Sequence, residues 1–353
     1  MSVAGARVKP IGSRDLDHVL EHTAGLWEAL RGRRLFISGG TGFFGIWLLE
    51  SFLHANERLG LEAEALVLSR DPGACRFRAP HLADRSGLAF LEGDMGGFVF
   101  PPGEFAAVIH AATEPEPGLD PLEIFELNVM GTRRMLEFAR RAGAGRFLLT
   151  SSGAVYGRQP PELTLVPEDY AGAPRTVETK TAYGQSKRVS EFLCAAHAER
   201  YGFTATIARC FAFVGPHLPL AANYAAGNFI RDALAGGPIR VRGDGTPRRS
   251  YLYAADLAIW LWTILLRGRA SRVYNVGSEE DLSIAELART VASVVRPSAT
   301  VETAEPKAPA RLPERYVPST RRAREELGLS ARITLEEGIR RTAGWHAGAG
   351  QAT

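Results

Sequence analysis

The chain has 353 residues, 45% apolar and 23% charged, with a formal net charge of +3. These shares are ordinary for a globular protein, and the length allows one large α/β domain or two smaller ones around a substantial core. The charge is too small and too scattered for nucleic-acid binding, and fits an anionic small-molecule substrate only weakly. Cys75, Cys194 and Cys210 have no metal-ligand spacing and suit a reducing cytoplasm, so no metal site is expected. The first residues, "MSVAGARVKPIGSRDLDHVL", show no apolar core before a cleavage site, and the stretch "YLYAADLAIWLWTILLRG" is short for a membrane span and contains Asp256. The expectation is a cytoplasmic protein with no membrane partner.

In chain order, residues 14–31 carry Leu16, Val19, Leu20, Leu26 and Leu30 at near-helical spacing, with one break. "RLFIS" reads as a short buried strand followed at once by glycines, and "GIWLLESFLHANERLG" as a helix ending at Gly60. The strands "ALVLS", "LAFLE" and "AAVIHAA" follow, then the helix "LEIFELNVMGTRRMLEFARRAG" and the strand "RFLLTSS". Short apolar strands alternating with helices predict a parallel sheet covered on both faces. Beyond residue 210 the pattern loosens. A Pro/Gly/Asn-rich loop leads into a helix, "VYNVGS" is another strand, and Ser283 and Glu286 form a capping box at the start of a helix. Residues 295–320 read as extended, and "LEEGIRRTAGWH" as a closing helix.

Two local patterns carry chemistry. "LFISGGTGFFG" puts Gly39, Gly42 and Gly45, with Thr41, Phe43 and Phe44 between them, directly between a strand and a helix. In that context glycines permit a tight turn and close approach of a pyrophosphate, and the helix start supplies N–H donors and the positive end of a dipole. "YGQSK" puts Tyr183 one helical turn before Lys187, so both share a face. A free phenol with a pKa of about 10 is a poor base at neutral pH, and a nearby cation favours the phenolate. Alone, the pentapeptide also fits a surface helix with an aromatic–aliphatic pair.

Together these motifs resemble the extended branch of the short-chain dehydrogenase/reductase superfamily, the NAD(P)-dependent nucleotide-sugar epimerases and dehydratases. The resemblance runs from Gly39 to about Asp256 and more loosely to the C-terminus. It implies a Rossmann-type doubly wound parallel sheet with a smaller C-terminal α/β substrate-binding lobe: a helical extension over 1–32, a dinucleotide-binding domain over 33–210 and a substrate lobe over 211–353. It implies that Asp94, with Met95, meets the adenine, that Ala111 and Ala112 of "VIHAAT" run along the cofactor, and that Asn128 of "NVMGT" matches a family asparagine. After the second strand, NAD-binding members usually carry an acid for the ribose. Here Ser69 and Arg70 stand at that corner; Arg70 could pair with a 2′-phosphate, which favours NADP over NAD, while Asp71 could still contribute to ribose binding.

The resemblance further implies that Ser152, Tyr183 and Lys187 form the catalytic group. Ser152 hydrogen-bonds the sugar C4 oxygen, Tyr183 moves its proton as hydride leaves C4, and Lys187 lowers the tyrosine pKa and binds the nicotinamide ribose. Ser151 is the neighbouring alternative, with a structural role expected. Dehydrating members typically carry an Asp-Glu pair right after the serine/threonine position, and decarboxylating members a glutamate nearby; this chain has Gly153 and Ala154. Thr113, Glu114 and Glu116 lie where members place substrate-contacting residues. Arg249, six residues after Gly243, matches the arginine that clamps the substrate diphosphate, with Arg248 as an exposed competitor and Asn223 as a further contact. Ala212 replaces an asparagine that many members have near the diphosphate. The expectation is a homodimeric nucleotide-sugar epimerase acting through a 4-keto intermediate. A 4-ketoreductase or dehydratase is the enzymatic alternative, and a catalytically silent NAD(P)-sensing protein the non-enzymatic one.

Overall fold

The computed structural model describes residues 9–113, 119–304 and 313–348. Helix α1 (Ser13–His22) is followed by a 3-10 turn at Trp27–Leu30. The sequence predicts one helical stretch here; the structure divides it around Gly25, whose φ of 77° lies in the left-handed region that glycine adopts without strain. Then come β1 (Arg34–Ser38), α2 (Phe43–Leu59), β2 (Glu64–Ser69), α3 (Pro72–Arg78), α4 (Pro80–Ala83), β3 (Leu88–Glu92), β4 (Ala107–His110), α5 (Pro121–Arg141), β5 (Arg146–Ser152), α6 (Ala182–Tyr201) and β6 (Thr204–Cys210). The remainder runs β7 (Phe213–Val214), α7 (Ala225–Ala235), β8 (Ile239–Val241), β9 (Arg248–Ser250), β10 (Leu252–Tyr253), α8 (Ala254–Arg267), β11 (Val273–Val276), β12 (Asp281–Ser283), α9 (Ile284–Val295), β13 (Val301–Thr303), β14 (Arg315–Tyr316), α10 (Arg321–Leu327) and α11 (Leu335–Ala347).

The main sheet has seven strands in the order β3-β2-β1-β4-β5-β6-β11, and β1 to β6 pair in parallel. This is the Rossmann-type doubly wound sheet. Its strand order reverses between β1 and β4, and the carboxyl ends of strands at such a reversal form the crevice where ligands bind in open α/β sheets. β1 and β4 are buried almost throughout, which is why they read as unbroken apolar runs instead of alternating ones. On one side, Phe36 packs against Phe98 and Phe138 with ring centroids 5.5 and 4.5 Å apart. On α8, Trp262 meets Trp27 at 4.8 Å and donates to Ser51 Oγ on α2 at 2.9 Å. The segment before β1 is therefore built into the core; Glu50 on α2 also accepts from the Ile11 amide at 2.7 Å.

The chain divides into two compact units. The first is Met1–Gly157 with Ala171–Cys210 and Ala258–Tyr274; the second is Arg158–Tyr170, Phe211–Leu257 and Asn275–Thr353. The boundary drawn on the sequence at 210/211 differs from this at two places, each for a visible reason. Gln159 accepts from the Val317 amide at 3.0 Å and Glu168 from the Asn275 amide at 2.9 Å, which ties 158–170 to the second unit. Trp262 ties the end of α8 to the first. Within the second unit, β12-β9-β14 form a three-stranded sheet, Ser283 and Glu286 make the expected capping box on α9, and buried Asp256 accepts from the amides of Arg332 and Ile333. Among the described residues, no helix is long and apolar enough to cross a membrane.

Candidate active site

The turn after β1 is shaped by close backbone approach. A Cβ at Gly39, where φ is +75°, would lie 2.4 Å from the Ala112 amide nitrogen, and one at Gly45 would lie 2.1 Å from the Gly39 carbonyl oxygen. Any side chain at either position would push β4 or α2 away from β1. At Gly42 the nearest protein atom to such a Cβ is 3.5 Å off, and no side chain hydrogen-bonds as a cap at the start of α2. This cradle fits a diphosphate. Ala111 and Ala112 are held beside it, through the Ala111 amide to the Ser38 carbonyl at 3.1 Å and the Ala112 amide to Ser38 Oγ at 3.4 Å. Asn128, buried on α5, accepts from Thr113 Oγ1 at 3.0 Å.

The residues expected to meet the adenosine have defined local partners. Asp94 Oδ1 accepts from the amides of Gly96 and Gly97, each at 2.8 Å. Met95 is buried in the core against Gly131. Ser69 is buried at the end of β2, Arg70 is exposed, and the Asp71 carboxylate caps α3 by accepting from the Ala74 amide at 2.7 Å. Asp71 Oδ1 is thereby committed to the helix, which weakens it as a ribose ligand.

Ser152 ends β5 and its Oγ accepts from the Ala154 amide at 3.1 Å, starting the 3-10 turn Gly153–Tyr156. Helix α6 opens against that turn: a Cβ at Gly184 would lie 2.7 Å from the Ala154 carbonyl oxygen. The small residue beside Tyr183 lets the tyrosine's helix close onto the serine's turn. Lys187, 2% exposed, donates to the Thr150 carbonyl at 2.9 Å, and its Nζ sits 5.8 Å from the centre of the half-buried Tyr183 ring. Burial pulls the Lys187 pKa down to about 8. Ser151, the alternative to Ser152, is tied to Glu191 instead.

In the second unit, β9 sends its two arginines to different surroundings. Arg248, expected to be exposed, is half-buried and pairs with Asp281 and Glu286. Arg249 lies over the Tyr316 ring at 5.6 Å, and its nearest carboxylate is Glu314 at 4.0 Å. Adjacent strand residues face opposite ways, so one arginine serves the sheet while its neighbour keeps the looser ion pair. Asn223 is exposed just before α7. Glu114 and Glu116 lie outside the described residues.

The sequence model of the NAD dependent epimerase/dehydratase family matches residues 35–277. The chain belongs to that family. UDP-glucuronic acid decarboxylase 5 of Arabidopsis thaliana is 29% identical over 315 residues, covering 87% of each chain. The UDP-glucose 4-epimerase of Thermus thermophilus, solved with NAD, is 25% identical with a TM-score of 0.72, over 91% of this chain and all of that one. The dTDP-glucose 4,6-dehydratase of Streptomyces venezuelae, solved with NAD, is also 25% identical, with a TM-score of 0.71 over 89% of this chain and 96% of that one.

The structure of this family member adds residues that sequence reading passed over. His110, within "VIHAAT", is buried between Ser38 Oγ at 2.8 Å and Thr132 Oγ1 at 3.2 Å, and Thr132 is 2.9 Å from Ser190 Oγ. This polar chain links β1, β4, α5 and α6 beneath the turn. Burial, together with the Lys187 charge, pulls the His110 pKa down to about 3, so the imidazole is neutral. Glu191 and Arg209 form a buried ion pair. A charged residue at a core-facing helical position, one turn beyond Lys187, was the available signal.

Proposed function

We propose that the chain is an NAD(P)-dependent nucleotide-sugar epimerase that works through transient oxidation at sugar C4. The observations that support this are the Lys187 ammonium 5.8 Å from the Tyr183 ring and bonded to the Thr150 carbonyl of β5, and Gly184 lying against the turn that Ser152 opens. The bound cofactor supplies a hydride acceptor that can return the hydride. Every other step falls to this chain. Ser152 Oγ orients the C4 oxygen; the Tyr183 phenolate takes its proton as hydride leaves C4, and gives it back on return. Lys187 keeps the phenolate accessible near neutral pH and would hold the ribose of the nicotinamide when the cofactor is bound. Within the second unit, Arg249 is the group suited to a diphosphate through its planar guanidinium, with Asn223 as a further candidate; within the first unit, Thr113 is a candidate substrate contact with Asn128 behind it.

The step after oxidation separates the readings. Elimination of water from C5 and C6 needs a base for the C5 proton and an acid for the leaving hydroxyl, and Gly153 and Ala154 put no carboxylate in the turn after Ser152. Returning hydride to the opposite face of a rotated 4-keto sugar needs neither group, which favours the epimerase. A second reading has its own support, because a named relative is a UDP-glucuronic acid decarboxylase. A 4-keto uronic acid is a β-keto acid and loses carbon dioxide with the ketone as electron sink, so the missing pair opposes decarboxylation less strongly than dehydration. Incubation with a panel of nucleotide sugars, read by mass spectrometry and chromatography, distinguishes them. A product isomer of unchanged mass is expected; loss of carbon dioxide or of water would replace the epimerase reading with a lyase.

For the cofactor, Arg70 supports NADP and the family supports NAD. Arg70 stands exposed at the corner after β2, beside the Asp71 cap of α3. Arg70→Ala should weaken NADP binding about ten- to hundred-fold, with little effect on NAD, measured by calorimetry. Equal effects on both cofactors would make Arg70 an ordinary loop residue.

For assembly, α5 and α6 pack side by side and expose Leu127 and Met130 on one and Phe192 on the other. Covering these apolar side chains with the same face of a second copy gives a homodimer with two-fold symmetry. Light scattering at micromolar concentration should return twice the chain mass; a monomer mass would remove the dimer.

A further inference from the structure

Glu191 lies one helical turn beyond Lys187 and two beyond Tyr183 on α6, so the three share a face. Its carboxylate accepts from Ser151 Oγ at 2.6 Å and from the Arg209 guanidinium at 2.9, 3.2 and 2.6 Å. The two side chains are only 10% and 13% exposed. Arg209, at the end of β6, also lies over the Tyr156 ring at 4.6 Å, and Tyr156 closes the 3-10 turn that begins at Ser152. One buried ion pair therefore touches all three pieces of chain that carry the group assigned above: the end of β5 through Ser151, the turn after Ser152 through Tyr156, and the Tyr183 and Lys187 helix through Glu191.

The same pair bears on charge. The groups facing Lys187 are Glu191, Cys194 and the Tyr183 ring on α6, Cys210 at the end of β6 and His110 on β4, with Arg209 behind Glu191. Burial pushes the Cys210 thiol up to about 12 and the Cys194 thiol higher still, so both are neutral near neutral pH. His110 is neutral as well. Of the two thiols and the carboxylate beside Lys187, the Glu191 carboxylate is the one paired with a guanidinium. Burial opposes the Arg209 charge, and the hydrogen bonds to Glu191 more than restore it.

We propose that the Arg209–Glu191 pair is the positioning element of the site, locking the end of β5, the turn after Ser152 and the Tyr183 and Lys187 helix together, with the Glu191 carboxylate one helical turn from Lys187. The proposal rests on the catalytic reading of Tyr183 and Lys187, so its test needs a readout that does not depend on turnover. Glu191→Gln keeps the size and the hydrogen-bonding oxygen but removes the charge; Arg209→Met removes the opposing cation.

In cofactor-free protein carrying lysine labelled with ¹³C at Cε, the Lys187 signal is assigned by its loss in Lys187→Arg and titrated by NMR. In the unsubstituted protein the midpoint should lie near pH 8. Glu191→Gln should lower it by about one unit, toward pH 7, and Arg209→Met should raise it. The opposite signs matter, because simple loosening of the fold would move both variants the same way. In the pH–rate profile, the alkaline limb marks the loss of the Lys187 proton and should move down in Glu191→Gln by the same amount. A Lys187 midpoint unmoved in Glu191→Gln, or moved in the same direction by both variants, overturns the proposal. A moved midpoint with an unmoved pH–rate profile upholds the role of the pair and contradicts instead the catalytic assignment of Lys187.

Discussion

The Lys187 ammonium lies out of water under the end of β5, bonded to a backbone carbonyl at 2.9 Å, and this desolvated charge sets the terms for its surroundings. Water would stabilise the cation; the protein supplies a carbonyl dipole, a carboxylate one turn away and a neutral imidazole in place of a second cation. A buried charge left without such partners shifts its pKa and neutralises. That outcome would leave the Tyr183 phenol without the cation that favours its ionised form. Burial keeps His110 and the two thiols neutral, and the Lys187 charge adds to this at His110 while opposing it at the thiols. Breaking a buried pair such as Arg209–Glu191 by removing one partner typically costs about 3–5 kcal/mol, since the other charge is left uncompensated.

The sheet delivers the groups to the same edge. β1, β4 and β5 are parallel, so their carboxyl ends lie together, and each ends in a different functional piece: the glycine turn, the Ala111–Thr113 segment and Ser152. Close packing at Gly39, Gly45 and Gly184 joins these pieces without side chains between them. The function proposed here thus depends on backbone proximity at three glycines as much as on the side chains that carry the chemistry.

Much of this was legible in the sequence because it is local. Strands such as "RLFIS" announce themselves by unbroken apolar runs, the glycine turn by its place between strand and helix, and Tyr183 and Lys187 by their four-residue spacing. The parts that were not legible depend on tertiary partners. Arg248 and Arg249 are neighbours in sequence, and only the face each takes on β9 shows that Arg248 is held by Asp281. The sequence also does not show that Asp71 caps α3, which begins at Pro72. Glu191 and Arg209 sit on different elements, and nothing periodic links them. The 158–170 segment comes after a strand of the first unit, yet Gln159 and Glu168 bind it to the second. Decisive long-range hydrogen bonds leave little trace in hydrophobic pattern.

The central claim is that Tyr183 moves the proton of the oxidised hydroxyl. Tyr183→Phe keeps the ring and its packing while removing that one oxygen, so the most direct measurement is turnover of the accepted nucleotide sugar beside cofactor affinity in the same variant. The account requires turnover to fall by about 10²–10⁴-fold with cofactor binding retained. Turnover near that of the unsubstituted protein would contradict it.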